Sequence, residues 1–413
     1  MALIDTFLRR AVTRGELTLH RPGHPPVTFG TPDADLGHVV LRFHDSGVTR
    51  RILANPSLGA GESYMDGSLS VDGDDIMALV RVMTSNDPWE AGQDRLGASA
   101  PARAAAAVKH RIDRVNMERR SKRNVAHHYD LSARLYDLFL DKDKQYSCAY
   151  YTDPANPLEQ AQGDKLAHIA AKLAIRPGMR VLDIGCGWGG MALYLNRKFG
   201  VEVLGVTLSE EQLKIARERA AAAGVADQVR FELIDYRRVA PETHGGKFDR
   251  IVSVGMFEHV GPPQYRTFFT KCRDLLTADG VALVHTIGRL GKPGVTDDWT
   301  AKYIFPGGYN PALSEVMTAF EGLRLFLTDV EVLRLHYAYT LHEWYRRTVA
   351  ARDAIVALYD ERFYRMWTFY LAGAAMAFEN GGMCNYQIQF SRSRTELPIT
   401  RDYMIEGERA LRS

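Results

Sequence analysis

Short apolar runs and longer stretches with helical spacing alternate from Val181 to Thr286, and this is the strongest pattern in the chain. Val181-Leu182-Asp183-Ile184 is a brief apolar run entering glycines, and Met191 to Phe199 then repeats its apolar positions at a helical period. Val201 to Thr207 predicts a second strand and Ser209 to Ala223 a helix. Val229 to Ile234 and Arg250 to Val254 are further strands, and a helix over Pro263 to Leu276 leads to a strand at Val281 to Thr286. Strands alternating with helices of this length predict an α/β fold whose parallel sheet is covered on both faces. The end of the chain changes character. Leu323 to Leu333 is strand-like, long helices are predicted over Tyr337 to Ala350 and Arg362 to Glu379, and Tyr386 to Phe390 is a final strand.

The N-terminal part is mixed α+β. His38 to Phe43 predicts a strand with Gly30, Pro32, Gly37 and Gly47 marking turns around it, and Ile76 to Met83 a short helix. Thr84 to Pro101 has the polar, Gly/Ala/Ser/Pro-rich composition of a linker, and a basic helical stretch follows over Arg103 to Ser121. The 413 residues exceed one average domain. The predicted division is a smaller N-terminal domain over 1–100, a basic connection over 101–122 and the α/β domain over 123–413.

Composition narrows the class. With 46% apolar and 25% charged residues the chain is of ordinary globular type, and no window reaches the roughly 18 consecutive apolar residues of a membrane span. The start, Met1-Ala2-Leu3-Ile4, lacks a secretory pattern, and the 4 cysteines are scattered without a CxxC pair. Neither a disulfide framework nor a metal site is expected, and a reducing cytoplasm fits. A net charge of +2 does not point to nucleic acid. Charge is nevertheless concentrated at Arg103, Lys109, Arg111, Arg114, Arg119, Arg120, Lys122 and Arg123. That stretch is either a solvated face or a surface for anionic phospholipid headgroups.

The candidate chemistry begins at Asp183-Ile184-Gly185-Cys186-Gly187-Trp188-Gly189. Glycines after a first strand let the backbone approach a ligand, and the following helix presents its N-terminus. A dinucleotide site would have a GxGxxG spacing and a carboxylate about 20 residues on. Here the glycines fall at 185, 187, 189 and 190, and the next strand ends in Val206-Thr207-Leu208-Ser209. Both facts lower the NAD reading.

Several further stretches carry a resemblance. They are His128-Tyr129-Asp130-Leu131-Ser132, Gln145-Tyr146-Ser147-Cys148-Ala149-Tyr150, Leu182 to Gly189, Gly205 to Ser209, and Met256-Phe257-Glu258-His259-Val260-Gly261. His285-Thr286-Ile287-Gly288, Lys302 to Gly308 and Tyr337-Ala338-Tyr339-Thr340-Leu341 complete the set. Together they resemble the cyclopropane fatty acid synthase family, which includes the mycolic acid cyclopropane synthases. Gly61-Glu62-Ser63-Tyr64-Met65-Asp66-Gly67 looks like the extra domain of the longer bacterial members. The resemblance implies a class I S-adenosylmethionine-dependent methyltransferase fold, Rossmann-like, with a seven-stranded mostly parallel sheet whose last strand is added as a hairpin. Carried over by position, the cofactor lies along Tyr146, Ser147, Asp183, Gly185, Gly187, Gly189, Thr207, Leu208, Gln212, Asp235 and Tyr236. Taken alone, Thr207 and Gln212 also read as ordinary caps of the following helix.

The family reaction moves the sulfonium methyl to a cis double bond of a phospholipid acyl chain. An alkene is a weak nucleophile and its methylation leaves a carbocation, so proximity, dryness and aromatic faces are needed. Tyr150, Tyr151, Tyr303, Phe305, Tyr309, Tyr337, Phe369 and Tyr370 are candidates, at least half of them expected to be plain core. The resemblance implies a bound bicarbonate as base, held by Cys148, Glu258, His285 and Tyr337. His285 and Tyr337 supply donors; Glu258, an acceptor, orients His285 or takes the bicarbonate hydroxyl proton. One position departs from the family: Ala374 stands where a cysteine is often found, and a weaker base site would give a methyl-branched or methylene product. A same-fold methyltransferase for another nucleophile and a non-catalytic lipid-binding relative are the alternatives. A bilayer-embedded substrate makes the basic stretch a docking surface, so peripheral association with the inner face of the membrane is expected, and the longer relatives suggest a homodimer.

Overall fold

The first N-terminal strand alternates: in β1 (Gly15–Arg21) Leu17 and Leu19 are buried while Thr18 and His20 are only partly covered. That period of two sets one apolar face. β2 (His24–Thr31) pairs antiparallel with β1, β3 (His38–Phe43) runs parallel to β1, and β4 (Leu69–Val71) lies antiparallel to β3, giving the order β2-β1-β3-β4. Phe29, Val39, Leu41 and Phe43 join Leu17 and Leu19 in a core with Val48, Tyr64, Ile76 and Val82 from the covering helices.

The computed structural model describes residues 3–92 and 131–412, which divide into two units. The first unit contains the four-stranded sheet and, unlike the predicted division, also takes in Thr296–Pro306 and Ala338–Met383. Packing explains why: Ala372 belongs to its core, Tyr345 and Phe369 pack against it, and a Cβ on Gly61 would collide with the Trp299 indole. The predicted linker is ordered at its start, since the helix Ile76–Ser85 extends two residues past Met83 and a short turn forms at Trp89–Ala91. The basic stretch Arg103 to Arg123 lies outside the described residues.

The second unit carries β5 (Arg180–Ile184), β6 (Glu202–Thr207), β7 (Val229–Leu233), β8 (Phe248–Val254), β9 (Leu276–Arg289), β10 (Phe326–Leu333) and β11 (Met383–Ser391) in the order β10-β11-β9-β8-β5-β6-β7. The pairings from β9 to β7 are parallel and β10 lies antiparallel to β11, which is inserted between β10 and β9. The expected hairpin is not one, because the helices His336–Ala350, Arg352–Leu358 and Glu361–Glu379 separate the two strands in sequence. Leu182, Ile184, Leu204, Val206, Ile251, Ala282 and Val284 feed one core; Val181, Val203, Val252, Val281 and Leu283 feed the other. Successive residues therefore point to opposite covered faces, which is why these strands read as continuous apolar runs. The second core includes Leu166, Ile169 and Leu173 from and just after the helix Leu158–Lys172. Asp183 and His285 share the parity of that face. Neither face is water, so any polar group placed there needs a partner. No helix among the described residues is long and apolar enough to cross a membrane.

Candidate active site

β5 lies between β8 and β6, so the chain leaves its two sides in opposite senses and a crevice opens beyond its C-terminal end. Gly185, Gly187 and Gly189 occupy this turn with φ of 80°, 52° and 81°, the left-handed region that favours glycine. A Cβ at Gly185 would lie 2.7 Å from Met256 and one at Gly189 2.6 Å from Phe231, whereas Gly187 faces open space. The amides of Gly185 and Cys186 both donate to the Val206 carbonyl, at 2.9 and 3.1 Å, tying the turn to β6. Helix Gly190–Phe199 then starts with its N-terminus toward the turn.

The resulting cleft encloses about 1130 Å³ including its open mouth, and it is lined by Tyr146, Ser147, Asp183, Gly185, Gly187, Thr207, Leu208, Gln212, Asp235 and Tyr236. Of the predicted cofactor residues only Gly189 is missing from the wall, because it is packed against Phe231 and Ala216. Thr207 and Gln212 border the cleft, and the helix cap beside them is Ser209, whose hydroxyl accepts from the Gln212 amide at 3.3 Å. Thr207 Oγ1 donates to Gln212 Oε1 at 3.0 Å. Asp235 is committed elsewhere: its carboxylate accepts from Arg237 N, Nε and Nη2 at 2.9, 2.8 and 2.6 Å. Trp188 and His259, which the sequence shows only as members of motifs, also line the cleft, as do Lys144 and Arg237, which the sequence does not single out. Burial holds His259 neutral, with its pKa lowered to about 4.

The donors fit an amino-acid-bearing cofactor. Asp183 is buried, burial raises its pKa to about 7 against the opposing pull of Lys165, and its Oδ2 has no hydrogen-bond partner in the protein. An orphaned carboxylate oxygen beside a glycine turn suits a ligand ammonium.

None of the four predicted base-site residues is in the cleft wall, although the His285 carbonyl accepts from the amide of the wall residue Gly255 at 2.9 Å. Cys148 and Glu258 are each adjacent in sequence to a wall residue, Ser147 and His259. Cys148 is a buried thiol, held neutral by burial, with its Sγ donating to the Ala149 carbonyl at 3.3 Å. Glu258 sits in a short turn after β8; its Oε1 accepts from the Ile287 amide at 2.6 Å while Oε2 is buried without a partner. Burial raises the Glu258 pKa to about 7.

The expectation that Glu258 orients His285 is corrected by these contacts. His285 Nδ1 lies 3.2 Å from Gln387 Nε2, and His285 Nε2 lies 3.4 Å from Asn385 Nδ2. β11 supplies both amides because Tyr386, Ile388 and Phe390 point into the opposite core, leaving 385 and 387 on the His285 face. Burial and the nearby positive charge of Lys165 lower the His285 pKa to about 3, so the ring is neutral. A neutral imidazole has one N–H and one lone pair, so one amide must present oxygen to it and the other NH₂. Tyr337 is buried in the first turn of the helix His336–Ala350; its neighbour His336 accepts from the Tyr151 amide through Nδ1 at 2.9 Å and stacks on Tyr150.

The aromatic candidates divide between the units. Tyr150 is stacked between His168 and His336 at 4.0 and 4.8 Å, and the Tyr309 hydroxyl is bound by Glu315 at 2.9 and 2.8 Å. In the first unit Phe305 meets Tyr370 edge-on at 5.9 Å, and the Tyr303 hydroxyl donates to Glu62 at 2.8 Å. Ala374 is half-buried on the helix Glu361–Glu379.

Comparison with known proteins places this architecture. The family described as mycolic acid cyclopropane synthetase matches residues 116–388. The chain belongs to that family. It is 40% identical over 354 residues to the cyclopropane-fatty-acyl-phospholipid synthase of Escherichia coli, covering 85% of this chain and 87% of that protein. It is 33% identical over 406 residues to the tuberculostearic acid methyltransferase UfaA1 of Mycobacterium tuberculosis, covering 94% and 90%. The solved structure of mycolic acid cyclopropane synthase CmaA1 with SAH and CTAB superposes with a TM-score of 0.61 at 34% identity, over 65% of this chain and 98% of that one. The chain is therefore an S-adenosylmethionine-dependent methyltransferase of the cyclopropane synthase type.

Proposed function

We propose that the enzyme methylates a cis double bond in an unsaturated phospholipid acyl chain and closes a cyclopropane ring. The observation that carries this reading is the pair of buried, side-chain-built groups next to the cofactor cleft: Glu258 with an unpartnered Oε2, and a neutral His285 held by two amides. An amine can attack the methyl with its own lone pair and an alcohol needs only its hydroxyl proton removed, whereas ring closure needs a base placed at a methyl group in a dry pocket. S-adenosylmethionine, when bound, supplies an electrophilic methyl on its sulfonium. One alkene carbon would form the new C–C bond as the sulfur–methyl bond breaks and the neutral thioether leaves. A positive charge would develop on the neighbouring carbon, and loss of one proton from the added methyl to the base would close the ring.

The chain's own residues keep that charge from water. Cys148 and His285 are 1% exposed and Glu258 7% exposed, so the region around them is dry. Bicarbonate, when bound, would supply the base, and Glu258, His285, Tyr337 and Cys148 would hold it. Glu258 Oε2 suits its hydroxyl, since an orphaned buried acceptor needs a donor. We place the enzyme at the cytoplasmic face of the membrane as a peripheral homodimer, with the basic stretch Arg103 to Arg123 contacting anionic headgroups. Vesicle binding that rises with anionic lipid and falls with salt tests that contact, and equal binding to neutral vesicles rules it out.

A second reading rests on Ala374. The relatives include one named for tuberculostearic acid and one named probable fatty acid methyltransferase, from Pseudomonas putida. Where the resemblance expects a thiol the chain has Ala374, and if proton removal from the added methyl is weaker for that reason, proton loss from another carbon would give a methylene or methyl-branched lipid. Lipids from cells expressing Ala374→Cys beside the wild type decide this: identical products remove the second reading.

A further inference from the structure

The helix Leu158–Lys172 buries its length in the second unit, yet at Lys165 it carries an ammonium where the helical period calls for an apolar side chain. Lys165 has no exposed surface. An isolated buried ammonium is costly, so its surroundings must compensate it. Nζ donates to Gln145 Oε1 at 2.7 Å and to Ser147 Oγ at 2.9 Å. One turn earlier, Gln162 Nε2 donates to the carbonyls of Gln145 and Ser147 at 3.2 and 3.0 Å. Two residues three apart on one helix face thus hold one extended segment at four points. That segment is cofactor wall at Gln145, Tyr146 and Ser147 and becomes candidate base site at Cys148.

We propose that Lys165 is a positioning residue for the methyl-transfer reaction: it clamps the Gln145–Cys148 segment and so sets the affinity for S-adenosylmethionine. This holds whichever lipid is methylated. It also accounts for polar atoms that packing alone leaves unexplained. Gln145 and Ser147 face a cleft on one side and a single buried cation on the other, so the cation fixes their rotamers before the ligand arrives. Preorganised side chains of this kind lower the ordering cost of binding.

The charged and titratable groups facing Lys165 are Asp141 and Asp143 from the loop before the segment, Cys148 within it and Asp183 on β5, while its charge also acts on His285 of β9. Burial lowers its pKa to about 8, with Asp141 the largest opposing influence. The clamp is therefore a cation below about pH 8 and a neutral amine above it.

Two measurements test the clamp, and the first needs no variant. Calorimetric titration of the intact wild-type protein with S-adenosylmethionine should give an affinity that changes near pH 7, where Asp183 titrates, and then weakens as pH rises through about 8. A profile with no break near pH 8 overturns the proposal. In Lys165→Met, with folding checked by near-ultraviolet circular dichroism, the break should vanish. Its affinity should fall about ten- to a hundredfold, as expected for losing hydrogen bonds to a charged group. Nuclear magnetic resonance of His285 supplies a readout that mere loss of packing would not move. Removing the cation should raise the His285 pKa, and an unchanged His285 titration together with unchanged affinity would show Lys165 to be filler.

Discussion

The cofactor cleft and the base site beside it are neighbours built in opposite ways. The cleft is made largely of backbone: three left-handed glycines, two amides on the Val206 carbonyl and a helix N-terminus. The proposed base site draws on side chains from five separate places: the segment before the sheet, the turn after β8, β9, β11 and the helix His336–Ala350. A backbone site tolerates exchange of most side chains but not of its glycines. A side-chain site tolerates backbone change and fails when one distant partner is lost.

That contrast can be broken at Gly185, where the largest effect is expected. Gly185→Val adds a branched side chain at φ 80°, with its Cβ 2.7 Å from Met256. Calorimetry should show cofactor affinity lost by more than about a hundredfold, the turn being strained and the contact closed. Near-normal binding would mean that backbone shape does not define the cleft.

Glu258→Gln should separate the two regions. Activity is expected to fall on the order of a hundredfold or more, as for loss of a group assisting proton transfer, with cofactor affinity unchanged. Stability should move the other way. The folded pKa of about 7 lies above the ordinary 4.5, so the native state holds a proton that the unfolded chain has released between those values. Stability contributed by this group is therefore lost as pH rises from 4.5 to 7. The Gln variant should melt higher than wild type above pH 7, by an amount worth up to roughly 3 kcal/mol, and the gap should close by pH 4.5. Equal melting temperatures at pH 8 would refute the buried-carboxylate account.

Smaller still is the effect of unpairing His285. Gln387→Leu leaves one ring nitrogen without its amide and should cost about 1–3 kcal/mol in denaturant unfolding. Asn385→Leu, which removes the longer 3.4 Å contact, should cost less. Reversal of that order would show that Asn385 is the principal partner. The least effect belongs to Asp235→Asn, whose carboxylate serves Arg237 rather than open space: affinity should change only a few fold.

The same contrast explains what could be read from residues alone. The glycine turn and the β5-to-β9 alternation are contiguous in sequence and legible from spacing, whereas the Thr207–Gln212 region reads as a cofactor site only through the family resemblance. β9 is longer than its apolar run, Leu276–Arg289 against Val281 to Thr286, because pairing and turns extend it through polar residues. The helix Leu158–Lys172 was missed because it is buried nearly all round and has polar partners inside: Gln162, Lys165, His168 and Lys172 interrupt any apolar stripe. Only the misplaced lysine was a signal, and its meaning depends on Gln145 and Ser147, which folding brings to it. Gln387 and Asn385 were illegible for the same reason, since their partner His285 lies about a hundred residues away. In the first unit β1, β2 and the helices Gly47–Ala54 and Pro56–Met65 went unread, their glycines and exposed polar faces masking short periods. Within residues 1–92 the strand β3 and the helix Ile76–Ser85 stand out, with apolar patterns strong enough to be seen.

The central claim is that cofactor cleft and base site act together on a lipid double bond. The purified protein, S-adenosylmethionine and vesicles of a cis-unsaturated phospholipid test it most directly, with the acyl chains analysed by mass spectrometry and proton magnetic resonance. The account predicts a gain of one CH₂ per modified chain, with upfield cyclopropyl protons and loss of the vinyl signal. Cofactor binding with no acyl-chain product, or a methylated headgroup in its place, would contradict it.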